Sequence, residues 1–352
     1  MSLKLRAGME KKGVAPEIIL KIIQSISSFA LYGFPESHAI SFAILAYGSA
    51  YLKVHRAAEF YASLLNNQPM GFYTPATIVK DACRHGIRMR PVCVTESEWR
   101  CVVESEEVVR LGFCVVNGLR QEHGEEIVRQ RALESFCSVE DFKRRVCLTK
   151  EELRTLAELG ALNFLADHRR AALWEVEEPV PEALFAVAGG ADPGSPAARS
   201  LSSGVNAPGY NPLAPMTLPE RVQADYAAMN LTTGPHPMKL LREQLPNVWR
   251  ASDLVAAKHG ATIEIAGNVI CRQRPGTAKG FVFISLEDET GVANAIVTPD
   301  LFERLRLVIT EEPFLLIEGE VQNTDKVVLV KARTIRPLPH AQLAGSESHD
   351  FH

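Results

Sequence analysis

Nowhere in the 352 residues does an Asp-x-Asp pair occur, nor a His-x-His. Closely spaced pairs of carboxylates or histidines of these two kinds are therefore not available as metal ligands. Aromatic residues are scarce, at 7% of the chain, and the 7 cysteines show no paired short spacing. An odd set of thiols argues against a disulfide framework and leads us to expect a reducing, cytoplasmic setting. Cys83, His85, Cys93 and Cys101 carry zinc-ligand chemistry, but no second close pair accompanies the first. No apolar run approaches the roughly 20 residues that a bilayer demands, since Ala39 to Leu52 is short and diluted by Ser41, Gly48 and Ser49. No membrane partner is expected, and the polar, basic segment after Met1 does not read as a secretory leader. A large basic excess is missing too: the formal net charge is -4, although residues up to Lys80 hold 8 Lys and Arg against 4 Asp and Glu.

What is present suffices for a sizeable core in two or three domains, with 46% apolar residues. Residues 3–29 read as two short helices around Gly13, the second carrying Ile18, Ile19, Ile22, Ile23 and Ile26 on one side. From Ala39 to Leu52 apolar side chains recur at helical spacing on two sides, which predicts a helix buried nearly all round, with the preceding pair packed on it. Pro35 and Ser37 are placed to start and cap that helix, so its positive end lies beside His38, where an anion can be held. Further helices are expected over Ala57–Leu65 and from Pro75, capped by Thr74, to near Gly86. A basic cluster follows (Arg84, His85, Arg88, Arg90), then strand-like alternation over Pro91–Val103 and Val108–Val115.

Helical hairpins are expected over 115–175. Val116-Asn117-Gly118-Leu119-Arg120 turns into a helix reaching Arg131; Ser138 with Asp141 and Thr149 with Glu152 have capping-box spacing. Gly160 reads as a C-cap, and Asp167 as the cap of a helix that exposes Arg169 and Arg170. Pro, Gly, Ala and Ser dominate 176–220, a flexible linker by composition. After a short helix, Pro219–Met229, five strands are expected (Thr262–Ile270, Phe281–Leu286, Ala293–Val297, Phe314–Val321, Val327–Ala332), with a helix from Pro299 to Val308 between the third and fourth. That order is the pattern of an OB-fold barrel. Val282, Ile284 and Leu286 would face its core, leaving Phe281 and Phe283 outside beside Arg272, Arg274 and Lys279, the combination with which such barrels stack and hold single strands.

Phe34-Pro35-Glu36-Ser37-His38-Ala39 resembles the Phe-x-x-Ser-His-Ala signature in the fingers of bacterial C-family DNA polymerases. Asn66-Asn67-Gln68-Pro69-Met70-Gly71-Phe72-Tyr73 is similar to their error-prone branch, and Gly234-Pro235-His236-Pro237-Met238 and the closing Ser348-His349-Asp350-Phe351-His352 resemble later landmarks. Glu36 stands where replicative relatives usually carry Lys, and Arg120 where the second hairpin glycine of a helix-hairpin-helix is usual. The resemblance implies a multidomain α+β chain: the end of the fingers (1–82), a helix-hairpin-helix DNA-binding region (83–175), a linker (176–220), a helical connector (221–255), an OB-fold (256–338) and a tail (339–352).

The palm carboxylates of the family lie upstream, so the resemblance implies the C-terminal part of a lesion-bypass polymerase without its catalytic groups. Ser37 and His38 are then expected near the nucleotide, Arg84, Arg88, Arg90, Gly118, Arg120, Arg169 and Arg170 near DNA phosphates, and Arg272, Arg274, Lys279, Phe281 and Phe283 near single-stranded template. No cofactor is expected on this chain, whereas Mg2+ and deoxynucleoside triphosphates belong to the full enzyme. Expected partners are primer-template and single-stranded DNA, with a sliding clamp and mutagenesis accessory proteins. A stand-alone nucleic-acid-binding module and a protein-interaction scaffold are the competing readings.

Overall fold

The computed structural model describes residues 2–32, 36–71, 73–179, 213–324, 327–338 and 349–351. Packing divides the chain into two units, Met1–Arg56 and Ala57–His352. Most of the expected linker and tail therefore lie outside the described residues. The first unit holds α1 (Ser2–Lys11), α2 (Pro16–Tyr32) and α3 (Glu36–His55), with Gly13 at φ 72° turning the chain between the first two. Burial of α3 is not what the structure has: Ile40, Phe42, Ile44, Leu45, Tyr47, Tyr51 and Val54 are all exposed, Tyr47 at 76%. Ile18, Leu20, Ile22 and Ile26 of α2 are exposed as well, so this side of α2 does not bury itself on α3 as expected. The physical reason is supply, because a helix apolar on several sides needs neighbours on several sides and this unit has two other helices to offer. Among the described residues no helix is long and apolar enough to cross a membrane.

In the second unit α4 (Ala57–Asn66) and α5 (Pro75–Arg84) join the helical region's core rather than the first unit, which sets the packing boundary well ahead of residue 82. Pro75 opens α5 and the Thr74 hydroxyl accepts from the Thr77 N–H. A small sheet, β1 (Arg88–Arg90), β2 (Val102–Ser105) and β3 (Val108–Arg110), stands where long strands were expected. Residues 91–101 form turns instead: the Ser97 hydroxyl accepts from the Cys93 N–H at 2.9 Å and donates to the Leu111 carbonyl at 2.8 Å, so a side chain replaces ladder bonds.

Then follow α6 (Gln121–Leu133), α7 (Val139–Arg145), α8 (Lys150–Glu158) and α9 (Arg169–Glu177), packed on one core around Tyr61, Phe113, Ile127, Phe142 and Leu156. The Thr149/Glu152 capping box forms in full. His168, not Asp167, caps α9: its Nδ1 accepts from the Ala171 N–H at 3.1 Å. Beyond residue 212, α10 (Leu218–Met229) and α11 (Pro237–Leu241) lead to the barrel.

Strands β4 (Thr262–Gln273), β5 (Val282–Glu287), β6 (Val292–Val297), β7 (Phe314–Thr324) and β8 (Val327–Pro337) run in the order β5-β6-β8-β7-β4, and β4 pairs back onto β5. Closure makes a five-stranded barrel with α12 (Pro299–Glu311) between β6 and β7. Gly267 marks the corner where β4 leaves β7 for β5, since a Cβ there would sit 2.7 Å from the Glu287 carbonyl oxygen. A further strand that the sequence reading did not anticipate, β9 (His349–Phe351), lies parallel to β4 at residues 271–273.

The helical region and the barrel are joined by buried charge. Lys80 of α5 donates to the carbonyls of Thr232 and Gly234 at 2.8 and 2.6 Å, and burial pulls its pKa down. Arg84, one turn on, donates to Glu287 at the end of β5 at 2.9 Å, and His236 of the Gly-Pro-His-Pro-Met turn stands 3.9 Å from the same carboxylate. Burial lifts the Glu287 pKa to about 7 despite Arg84, and drops that of His236 to about 3. Nearby, Asp225 accepts from Arg169 and from the Thr232 hydroxyl at 2.7 and 2.6 Å. Arg242 donates to Asp288 and Glu289 in the β5–β6 turn at 3.2 and 2.7 Å.

A carboxyl whose folded pKa lies above its unfolded one costs stability as pH rises from the usual carboxylate range through about 7. Removing its cation should deepen that cost: Arg84→Met is expected to lose about 2–3 kcal/mol near pH 8 and markedly less near pH 5.5, where Glu287 is protonated. Glu287→Gln should flatten the dependence. Urea unfolding of the three proteins across that pH range reads both effects, and an equal Arg84→Met loss at all pH would refute the coupling.

Candidate nucleic-acid interface

The first hairpin presents its glycine to solvent. Gly118 adopts φ 76° with open space where a Cβ would stand, and the hairpin is anchored from behind by Asn117, whose N–H and side-chain amide donate to the carbonyls of Ala228 and Ala227 at 2.8 and 3.2 Å. Arg120 takes the N-cap position of α6 with its side chain 58% exposed, and its guanidinium is held against the hairpin: Nε stands 3.4 Å from the Glu152 carboxylate and Nη2 3.3 Å from His123 Nδ1. The N–H groups of Gly118, Gln121 and Glu122 have no protein acceptor among the described residues. The Arg120 N–H does have one, the buried carboxylate of Glu152, at 3.2 Å.

Glu152 also accepts from His123 Nδ1 at 2.8 Å and from the Thr149 N–H and hydroxyl at 2.8 and 2.9 Å. Burial alone would raise its pKa, but these bonds outweigh that and hold it at about 2. Sequence reading had Glu152 only as half of a capping box. Its second task, neutralising the start of α6 from α8, needed the fold to bring the two hairpins together.

The second hairpin turns at Gly160, φ 85°, where a Cβ would stand 2.9 Å from Asn163 Nδ2. Beside it a groove of about 480 Å3 runs between this turn and β1, lined among others by Arg88, Arg90, Arg110, Asn163 and Phe164. Arg88 has no ion-pair partner among the described residues, Arg90 stands 3.2 Å from Glu104, and Phe164 is exposed on the rim. Phe164 was missed by sequence reading, because one aromatic after a turn carries no periodic signal.

Other arginines expected near phosphates are spent inside the protein. Arg84 is the interface cation described above. Arg169, expected exposed, donates to Asp225 at 2.7 Å and to the Glu158 and Arg221 carbonyls at 3.1 and 3.2 Å. Arg170 holds Glu220 at 2.7 Å and the Ala214 carbonyl at 2.9 Å. Each is drawn in by an acid or a run of carbonyls far away in sequence. In the first unit His38 is exposed with its ring edge-on to Phe42 at 4.5 Å; α3 starts one residue before Ser37, whose side chain lies outside the described residues.

On the barrel Val282, Ile284 and Leu286 point inward, and Phe283 is 37% exposed between Gln273 of β4 and Ile296 of β6. Phe281 is half-buried just ahead of β5, and Lys279 is exposed at φ 51°. Arg272 is not a loop residue but lies in β4, buried, donating to the Ile309 and Glu312 carbonyls at the end of α12, the latter at 2.7 Å, and to Asp350 of β9 at 3.2 Å. Arg274 lies over the Phe302 ring at 4.6 Å and 3.4 Å from Glu303. The four cysteine and histidine residues weighed as zinc ligands are dispersed: Cys83 is exposed, His85 stands 3.3 Å from the Tyr61 hydroxyl, Cys93 lies against Thr95, and Cys101 against the Gly112 N–H.

Residues 86–172 match a helix-hairpin-helix motif model, and residues 263–338 match an OB-fold nucleic acid binding domain model. Across 100% of the chain, an error-prone DNA polymerase of Anaeromyxobacter sp. is 41% identical, and the matching region is 31% of that protein. Error-prone DNA polymerase 2 of Agrobacterium fabrum is 41% identical over 99% of the chain and 32% of its own length, and the error-prone DNA polymerase of Pseudomonas aeruginosa 39% identical over 99% and 33%. Among solved structures, asparaginyl-tRNA synthetase from Pyrococcus horikoshii matches at 21% identity over 25% of this chain and 21% of its own, with a TM-score of 0.21. The chain spans about a third of the length of the curated relatives it matches, and over its whole length it is similar to a C-terminal portion of the error-prone DNA polymerases.

Proposed function

We propose that this chain is the DNA-gripping end of an error-prone DNA polymerase used in damage-induced mutagenesis and translesion synthesis. The observation that carries the reading is the pairing of an open Gly118 hairpin, whose N–H groups at the start of α6 have no protein acceptor among the described residues, and an OB barrel with Phe283 outward, both in one packed unit. Backbone N–H groups at a helix start hold a phosphate without regard to base sequence, and an outward aromatic on an OB face stacks a base. The duplex would lie on the hairpins and on the Arg88/Phe164 groove, and the single-stranded template on the barrel.

Phosphoryl transfer is assigned to the other two thirds of the polymerase, because this sequence has no Asp-x-Asp with which to place two Mg2+ ions. Ser37 and His38 then serve near the incoming deoxynucleoside triphosphate from α3, and the chain alone is inactive. The exposed apolar sides of α2 and α3 support a protein-contact role as well. The remainder of the polymerase is the occupant we favour for them, with a clamp or accessory protein as the second reading.

Two measurements follow. In fluorescence anisotropy over a salt series, duplex affinity should fall with a slope near 0.9 per phosphate contact, and Gly118→Val with Arg120→Ala should weaken duplex binding while sparing a single strand. Phe283→Ala should do the reverse, at about 1–3 kcal/mol for a lost stacked base. Binding of neither DNA at low salt would refute the gripping role. Primer extension by this chain alone should be nil, and should appear on adding the rest of the polymerase.

A further inference from the structure

Strand β9 reaches a cavity that contains two of the arginines expected near single-stranded template, Arg272 and Arg274. Between the end of β4 and the second half of α12 lies a cavity of about 290 Å3, lined by Arg272, Arg274 and Arg306 around an apolar wall of Val282, Phe302 and Ile309. Arg272 of β4, Arg274 just beyond it and Arg306 of α12 all line it, and Arg306 has no ion-pair partner among the described residues. The acid of the lining, Asp350 of β9, answers Arg272, from which its carboxylate accepts at 3.2 Å, while Arg274 stands by Glu303 outside the lining. It arrives because β9 lies parallel to β4, with Asp350 in register with Arg272, along the stretch of β4 beyond the reach of β7.

We propose that this cavity is a binding site for a backbone phosphate of single-stranded nucleic acid, and that β9 is an internal competitor whose Asp350 carboxylate stands in for that phosphate. Arginine forks suit phosphate geometry, and the lining includes Gln273, the β4 residue paired with Phe283 of β5, so a strand crossing the barrel at Phe283 passes beside the cavity. A three-residue strand paired with β4 alone is released at little cost, which makes the competition reversible. Displacing Asp350 adds one phosphate contact to those the barrel already makes. The proposal rests on the reading of the barrel as a single-strand binder.

The test compares the full chain, Asp350→Asn, a chain lacking residues 349–352, and Asp350→Asn combined with Arg306→Ala, each titrated with a fluorescein-labelled oligothymidylate over a salt series. Asp350→Asn and the shortened chain should bind at least about threefold tighter than the parent, with a salt slope steeper by about 0.7, the increment for one phosphate on a single strand. Arg306→Ala should abolish that gain. Unchanged or weaker binding by Asp350→Asn, beside a parent that binds, would overturn the competitor while leaving the barrel reading intact. Failure of all four proteins to bind would overturn the barrel reading and this proposal with it.

Discussion

Everything in the larger unit hangs on a carboxylate held where water cannot reach it. Glu287 closes β5, and both of its cationic neighbours come from α5, one helical turn apart: Arg84 meets it directly, while Lys80 is committed to the carbonyls of Thr232 and Gly234. Burying such groups is expensive, and their attraction offsets the desolvation only with good geometry and satisfied hydrogen bonds. The arrangement is therefore a poor source of stability and a good source of register. It admits one relation between the helical region and the barrel. The proposed division of duplex and single strand between the two parts requires that fixed relation more than it requires extra stability.

Two further carboxylates occupy positions suited to an anion. Glu152 neutralises part of the α6 start from inside, leaving the N–H groups on the outer side of the same turn for a second anion. Asp350 differs in its support. It sits on a three-residue strand paired with β4 alone, whereas Glu152 is locked by a capping box, a histidine and a backbone amide. Depth and number of bonds distinguish a permanent neutraliser from an exchangeable one, although the two groups are chemically alike.

Much of the fold was legible in the sequence because local rules decided it. Thr74-Pro75, Thr149 to Glu152, Gly160 and the alternation of Val282, Ile284 and Leu286 each state their structure within a few residues. Of the candidate site, what the sequence made legible was placement: the open turn at Gly118 and the outward side of β5 at Phe283. Arginines were misread for one reason: a sequence displays the cation but not the acid that meets it. Asp225 is 56 residues from Arg169, Glu287 is 203 from Arg84, and Asp350 is 78 from Arg272. Likewise β9 offers no periodicity in three residues, and the Ser97 turn displaced a strand through one hydroxyl.

The helix α3 was misread in the opposite sense, and the mismatch is informative. Its sequence specifies burial on more than one side, while Ile44, Tyr47 and Val54 stand in solvent. Burial of a large apolar side chain is worth about 1.5–3 kcal/mol, so leaving several open forgoes much of what a domain's net stability amounts to. An exposed apolar surface of this kind suits contact with another protein surface, and so the burial that the sequence of α3 specifies needs neighbours other than α1 and α2.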